Sequence, residues 1–212
     1  MLFRSRSGAA VRSVGQTAAG VRVETSEGSF EADQVIVSAG AWATRLIPNL
    51  PLRVTREVIA WFDPSEPALF EPTRFPVFLL ESPHGQHYGF PTFGQPGVKI
   101  AKHHHRNETV DPDAVDRTVS DADAALIRPA LAGHIPAANG RLLAAKTCLY
   151  TVTPDHDFII DRTHGASRVI VASPCSGHGF KFAPVIGEIL ADLATKGATS
   201  HDISRFRLSR FG

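Results

Sequence analysis

The chain has 212 residues, of which 43% are hydrophobic and 20% are charged, and these fractions are close to the averages of globular proteins, so a disordered or fibrous protein is excluded. Lys and Arg together number 22 against 21 Asp and Glu, and this balance provides no basic field that would attract nucleic acid or anionic lipid. Because no apolar run approaches the roughly 20 residues of a membrane-spanning helix, and Met1–Arg6 lacks the apolar centre of a secretory signal, we expect a cytoplasmic protein with neither a nucleic-acid nor a membrane partner.

Cysteine occurs twice, at Cys148 and Cys175. Two cysteines are too few for the disulfide framework of a small secreted domain and are more typical of a reducing compartment. The sequence is also compatible with a single bridge between the two.

The first fifty residues predict short strands. Val21–Thr25 alternates apolar and polar side chains, residues 26–29 supply a turn, and Phe30–Ala32 begins a returning strand, which together predict a β-hairpin. Val35–Val37 is fully apolar and predicts a short buried strand that stops before Gly40.

Four β-rich runs follow between Val54 and Ile100, and Pro and Gly separate them. Short strands without intervening helices predict a largely antiparallel sheet. The runs are Val58–Phe62, Phe75–Leu80, His87–Phe90 and Val98–Ile100.

The remainder of the chain predicts two helices and three further strands. Asp121–Leu131 has helical spacing of apolar residues, acidic residues in its first turn, and an end marked by Gly133 and Pro136. The last helix is predicted over Phe180–Leu193 and is closed by Gly197. The predicted strands between the helices are Thr147–Val152, Phe158–Asp161 and Val169–Ala172.

The segment from Val169 to Phe182 is an apolar strand, a glycine-containing turn and the start of an amphipathic helix. A helix N-terminus carries about half a positive charge, so it can stabilise a group that becomes anionic, such as a reduced flavin. Taken alone the motif is weak, because Phe182 stands where a dinucleotide-binding fingerprint has its third small residue. On this motif alone an ordinary glycine turn is the preferred interpretation.

Several blocks read together are far more specific. In order and spacing they resemble the sarcosine oxidases and N-methyltryptophan oxidases, which are D-amino-acid-oxidase-like flavoenzymes that depend on FAD. The blocks are Val35–Trp42, Tyr88–Pro91, Gly97–Ile100, Cys148–Thr151, Asp157–Asp161, Ser176–Phe182 and Phe206–Phe211. The resemblance therefore covers nearly the whole chain.

The resemblance implies an α+β fold with an α/β remnant. A mixed, largely antiparallel sheet would form a substrate domain over residues 51–140. Residues 1–50 would be a remnant of a Rossmann-like FAD-binding domain, and residues 141–212 would return to that domain with a flavin-contacting loop and the last helix.

The resemblance also assigns roles to individual residues. Cys148 matches the cysteine that carries FAD through a thioether, although most free cysteines are only small buried hydrophobes. Lys99 matches the lysine that helps O₂ accept electrons, whereas strand alternation alone would point Lys99 at solvent.

The glycine turn would contribute a second set of functional residues. Lys181 matches the lysine that binds the substrate carboxylate and contacts the flavin, and its position near a helix N-terminus is otherwise electrostatically unfavourable. An exposed lysine on a solvated helix face is the alternative. The other cofactor-binding residues implied are Gly177, His178, Gly179 and Phe180, with glycine needed where backbone approaches the ring.

His103, Tyr88 and Tyr150 match residues of the family's substrate pocket, although both tyrosines would serve equally well as core residues. His104 and His105 depart from the family's pattern and are expected in a loop or on the surface. A metal site on these histidines is disfavoured, because consecutive residues of a strand point to opposite faces.

The family's chains open with a strand, a Gly-x-Gly-x-x-Gly turn and a helix that hold the FAD, and this sequence shows no such pattern. We therefore expect only the carboxy-terminal portion of such an enzyme: a fragment, a product of a misplaced start, or one partner of a split enzyme. The sequence does not choose among these.

The leading hypothesis is FAD-dependent oxidation of a secondary amine or N-methyl amino acid, with O₂ reduced to H₂O₂. A non-catalytic or split-enzyme subunit that docks onto a separate FAD-binding partner is the alternative. A metal-dependent hydrolase built on the histidines is a third and disfavoured hypothesis.

Overall fold

The computed structural model describes residues 4–212, which form strands, short helices and connecting turns. The strands are β1 (Val11–Gln16), β2 (Val21–Thr25), β3 (Gly28–Ala32), β4 (Val35–Val37), β5 (Arg53–Phe62), β6 (Phe78–Ser82), β7 (Gly85–Phe90), β8 (Val98–Lys102), β9 (Leu142–Val152), β10 (Ile159–Thr163) and β11 (Ala166–Ser173). The α-helices are α1 (Ala43–Leu46), α2 (Asp121–Ala125), α3 (Arg128–His134) and α4 (Ala183–Thr195). None of the helices in residues 4–212 is both long enough and apolar enough to cross a membrane.

The described chain divides into two compact units. Residues up to Arg53, together with Thr151–Gly212, form the first unit, and Val54–Tyr150 form the second. The prediction of an α+β fold with largely antiparallel sheets is confirmed.

In the first unit, β1, β2 and β3 form an antiparallel sheet, which confirms the predicted hairpin. A second sheet has the order β10-β11-β4, in which β11 pairs antiparallel with β10 and parallel with β4. Apolar residues of α4 pack on one side of this sheet, and a separate apolar cluster contains Ile159 and Val171 from its two longer strands. The predicted strand at Val35–Val37 is present, and Val37 is buried as predicted. Ile36 is not buried: it is 39% exposed, since β4 is an edge strand of its sheet.

In the second unit, the strand order is β6-β7-β8-β5-β9, and the pairs β6–β7, β7–β8 and β5–β8 are all antiparallel. Helices α2 and α3 pack on one face of this sheet. Leu131 of α3, and Ile127 between the two helices, share a buried core with Ala60, Phe62, Val98 and Ile100. This arrangement leaves the alternate side chains of β5 and β8 on the opposite face.

The single helix predicted over Asp121–Leu131 is instead two helices, α2 and α3. Pro129 lies in the first turn of α3, where its missing N–H costs nothing, whereas a continuous helix would have lost the bond to the Ala125 carbonyl. The first helix begins at a capping box formed by Ser120 and Asp123.

The last helix also begins later than predicted. Phe180–Phe182 form a 3₁₀ turn, and the α-helical segment starts at Ala183. Its apolar face packs as predicted, with Ile186, Ile189 and Leu193 buried. Gly197, with φ +81°, follows the end of the helix.

Candidate functional site

One face of the second unit's sheet carries most of the predicted catalytic residues. In the β5–β8 register Trp61 is opposite Lys99, and in the β7–β8 register Phe90 is opposite Lys99. The next row places Tyr88 opposite Ala101. Because directly paired residues share a face, these side chains stand on the side of the sheet away from α2 and α3.

Lys99 lies between two aromatic rings. Its Nζ is 4.7 Å from the centroid of the Phe90 ring and 5.7 Å from that of the Trp61 ring. Each cation–π contact of this kind is worth about 0.5–1 kcal/mol at a partly exposed site. The ammonium group is therefore held in place on the face rather than extended freely into solvent.

A cluster of His103, Tyr150 and Tyr88 lies on the same face. His103 Nδ1 is 3.3 Å from the Tyr150 hydroxyl, which donates to the Tyr88 hydroxyl at 3.4 Å. Burial raises the pKa of both phenols, and the neighbouring Tyr88 raises the pKa of Tyr150 further. Both tyrosines are therefore neutral hydrogen-bonding groups and not bases.

Cys148 lies on β9, next to β5 in the sheet. Lys146 Nζ lies 6.0 Å from the Trp61 ring, and Tyr150 reaches Tyr88, so both residues face the side that carries Lys99. Side chains of a strand alternate, which puts Cys148 on this face between them. Burial raises the pKa of the half-buried Cys148 thiol.

His104 joins this cluster. Its ring centroid lies 4.1 Å from that of His103 and 5.8 Å from that of Tyr150. His104 has a φ of +53°, which is the left-handed region that few non-glycine residues adopt. The left-handed backbone of this turn brings the two imidazole rings into contact, whereas in a strand they would point to opposite faces.

His105 lies in the loop that follows β8, as expected, and is only 3% exposed. Its backbone N–H donates to Glu57 Oε2 at 2.8 Å, and its Nε2 lies 3.1 Å from Asp123 Oδ1. Burial lowers the pKa of His105. Over residues 4–212 no three His, Cys, Asp or Glu side chains are placed to hold a metal ion together.

The first unit carries the remaining predicted residues in the turn between β11 and α4. Ser176 and Gly177 have φ of +47° and +80°. The Ser176 amide donates to the Thr151 carbonyl at 2.8 Å, and its hydroxyl donates to the Asp157 carbonyl at 2.8 Å. These bonds fix the conformation of the turn. Gly179 is needed within it, because a Cβ at this position would overlap the Pro174 carbonyl.

His178, Phe180 and Lys181 occupy the surface of this turn. His178 Nε2 lies 3.0 Å from the His156 carbonyl oxygen. Lys181 Nζ donates to the His178 carbonyl at 3.3 Å, which leaves two of its three protons for another acceptor. Phe180 is 95% exposed. The turn thus presents an ammonium group and an aromatic ring at the start of α4, whose first amides, at Phe182 and Ala183, donate to the Gly179 and Phe180 carbonyls.

The predicted residues therefore form two groups. Lys99, Tyr88, His103, Cys148 and Tyr150 share one face of the second unit's sheet. The group in the first unit is the turn that contains Gly177, His178, Gly179, Phe180 and Lys181.

Sequence reasoning missed Trp61, Phe90 and Glu57 as neighbours of the first group. Trp61 and Phe90 lie within predicted strands, and only the register between strands shows that they flank Lys99. Glu57 lies between Arg56 and Val58, just before the predicted Val58–Phe62 strand. No pattern in the sequence indicates that its side chain is buried.

Comparison with known proteins agrees with the resemblance found in the sequence. The FAD dependent oxidoreductase family (DAO) matches residues 4–193. Monomeric sarcosine oxidase of Bacillus sp. (strain NS-129) is 41% identical over 196 residues, which are 90% of this chain and 50% of the relative. N-methyl-L-tryptophan oxidase of Salmonella agona (strain SL483) is 43% identical over 194 residues, which are 91% of this chain and 51% of the relative. The chain thus spans about half the length of these curated relatives.

Solved structures share the fold at lower identity. L-proline dehydrogenase from P. horikoshii has a TM-score of 0.79 at 24% identity, over 96% of this chain and 54% of that structure. The open form of NikD, an amino acid oxidase of nikkomycin biosynthesis, has a TM-score of 0.76 at 23% identity, over 95% of this chain and 55% of that structure.

Proposed function

Because the chain belongs to the family of FAD-dependent oxidoreductases, we propose that it takes part in the oxidation of a secondary amine that bears a carboxylate, with O₂ reduced to H₂O₂. The observation that carries this proposal is the grouping of Lys99, His103, Cys148 and the two tyrosines on one sheet face. Identity of 41–43% to sarcosine and N-methyltryptophan oxidases supports the same class of substrate.

The residues present suit a flavin. When bound, FAD supplies the two-electron chemistry, and the protein positions and polarises the cofactor and the substrate. The turn of the first unit offers the Lys181 ammonium and the positive end of the α4 helix dipole, both of which stabilise negative charge. The second unit offers the Cys148 thiol for a thioether to the cofactor.

Lys181 is proposed to bind the substrate carboxylate. Lys181 is exposed, and its Nζ retains donor capacity beyond its bond to the His178 carbonyl. A charge-assisted bond to a carboxylate is roughly twice as strong as a neutral one. This contact would orient the amine of the substrate.

Lys99 is proposed to promote the reaction with O₂. A fixed positive charge stabilises the negative charge that develops on oxygen, and removing one such electrostatic group typically costs about 10²–10³ in rate. Because Trp61 and Phe90 hold the ammonium group, little reorganisation is needed when charge develops.

His103, Tyr88 and Tyr150 are proposed to line the pocket. Since the pKa of each tyrosine is raised, both hydroxyls stay protonated at neutral pH and orient the substrate through hydrogen bonds. They do not remove its protons.

The test is to purify the chain with FAD supplied and to measure visible absorbance, the mass of each cysteine peptide, and peroxide formed with sarcosine or N-methyltryptophan. The expected result is an FAD-sized mass on the Cys148 peptide, lost in Cys148→Ser and kept in Cys175→Ser. A protein that acquires no flavin and forms no amine-dependent peroxide would contradict the proposal.

Lys99→Met tests the oxygen role separately. We expect reoxidation by O₂ to slow by about 10²-fold while reduction by amine changes little. Lys102→Met is the matched control, because Lys102 lies on the same strand three residues away, on the other face of the sheet. Equal slowing in both variants would contradict the role of Lys99.

A further inference from the structure

Glu57 is a buried carboxylate within the sheet of the second unit. The residue is 2% exposed. Its Oε1 accepts a hydrogen bond from the Thr55 hydroxyl at 2.7 Å, and its Oε2 accepts one from the His105 backbone N–H at 2.8 Å. Hydrogen bonds to a carboxylate favour its ionised form. The two bonds also fix the position of the Glu57 carboxyl group.

The strand register places the Glu57 side chain on the face that carries Lys99. Ile59 pairs with Ala101, and Trp61 pairs with Lys99. Glu57 lies two residues before Ile59 on the same strand, so its side chain shares their face. Strand β9, which carries Cys148 on that face, is the other neighbour of β5.

Charges of both signs surround the Cys148 thiol. Burial raises its pKa, Glu57 raises it further, and the positive charges of Lys99 and Arg117 lower it. Glu57 also raises the pKa of both tyrosines of the cluster. The other charged group on this face of β9 is Lys146, whose Nζ lies over the Trp61 ring.

We propose that Glu57 is a positioning residue that restrains the reactivity of the Cys148 thiol, by holding a negative charge on the neighbouring strand of the same sheet face. Lys99 and Arg117 act in the opposite sense. Since the thiolate is the reactive form in alkylation and oxidation, this restraint protects Cys148 from nonspecific modification. The proposal rests on the proposed function in one respect: the proposed function assigns Cys148 to the attachment of the flavin.

The test uses the chain produced without covalent flavin, which intact mass verifies, and measures alkylation of Cys148 by iodoacetamide. Glu57→Gln keeps an oxygen that can accept from the His105 N–H but removes the charge. A tenfold larger thiolate fraction raises the rate only about threefold, because nucleophilicity falls with the pKa. We expect a rise of about threefold or more near pH 7.5, measured relative to Cys175 in the same sample.

Two further variants test whether the effect on the alkylation rate follows the sign of the charge and whether it is specific to Glu57. Lys99→Met should slow the alkylation of Cys148, because it removes a charge that favours the thiolate. Glu81→Gln, at an exposed acid of β6 in the same sheet, should leave the rate unchanged. A rate in Glu57→Gln that equals or falls below the wild-type rate would overturn the proposal.

The pH profile separates a charge effect from loosened structure. Loss of the Glu57 charge shifts the midpoint of the rate profile to lower pH and lowers the high-pH plateau, by about threefold when the shift corresponds to a tenfold gain in thiolate. A raised plateau with an unshifted midpoint means that the variant only exposes the thiol, and this result also overturns the proposal. Because no flavin or amine is present, neither outcome depends on the proposed oxidase activity.

Discussion

Asp123 links the helices of the second unit to its sheet, and its removal gives the sharpest stability prediction. The carboxylate side chain is 4% exposed and pairs with Arg56, which is 8% exposed, at 3.1 Å. It also lies 3.1 Å from His105 Nε2, accepts from Arg106 Nε at 3.0 Å, and accepts from the Ser120 amide at 3.0 Å. Burial alone would raise the pKa of Asp123, but these hydrogen bonds outweigh burial and hold the pKa well below its usual range.

Asp123→Asn removes the charge and nearly preserves the shape. Removing one partner of a buried ion pair typically costs about 3–5 kcal/mol, because the other charge is left buried and uncompensated. Arg56 also donates to the carbonyl oxygens of Asp116 and Thr118, at 2.9 and 2.6 Å. These neutral acceptors remain in the variant, so we expect a loss of about 3 kcal/mol, at the lower end of that range.

Arg106→Ala is the matched control. Arg106 donates to the same carboxylate, but its side chain is 38% exposed. Pairs that water can reach contribute about 0–1 kcal/mol. Both substitutions remove a contact to the same carboxylate. Because the contact with Arg56 is buried and that with Arg106 is not, the expected losses of stability differ at least threefold.

Urea unfolding followed by fluorescence measures both variants. A Trp42→Phe background leaves Trp61 of the second unit as the fluorophore, so the signal reports on the unit that contains Asp123. A loss below about 1 kcal/mol in Asp123→Asn, or an equal loss in Arg106→Ala, would refute the assignment of stability to the buried pair.

Two further predictions concern pH and backbone packing. Burial lowers the pKa of both His87 and His105, so their contribution to stability is full above the unfolded pKa of about 6.5 and is lost as the pH falls, by up to about 1.4 kcal/mol per pH unit for each histidine. His87→Leu should therefore reduce the slope of the unfolding free energy between pH 6.5 and 5.5, and an unchanged slope would contradict this. Gly179→Ala forces a Cβ onto the Pro174 carbonyl and should destabilise the first unit by roughly 2 kcal/mol or more. Gly187→Ala, in open space on α4, should stabilise it by up to about 1 kcal/mol, and calorimetry that ranks the two variants in the reverse order would contradict both expectations.

Strands were predictable from the sequence where an alternating or apolar pattern was bounded by turn residues. The hairpin of β2 and β3 has alternation and a polar turn, and the strands of the second unit are separated by Pro and Gly. Helix ends were less predictable, because the apolar spacing of residues 121–131 continues through Pro129. The pattern is divided into α2 and α3 because Pro129 has no backbone N–H to continue the helix.

The candidate site was predictable as a set of residues but not as a geometry. Alternation predicts that His103 and His104 point to opposite faces, and this rule fails because β8 ends at Lys102 and the next residues form a turn. The left-handed backbone of His104 then stacks the two rings. No periodic pattern in the sequence encodes this reversal.

Burial in this turn follows from contacts distant in sequence. His105 is buried because Glu57 accepts its backbone N–H and Asp123 approaches its ring, and these acids lie 48 and 18 residues away in the chain. The same carboxylate of Asp123 starts α2, pairs with Arg56 and supports the turn that carries His103. The histidine of the candidate site is therefore positioned by a buried charge network on the helix side of the sheet, so substitutions at Asp123 should disturb His103 even though the two side chains belong to opposite faces.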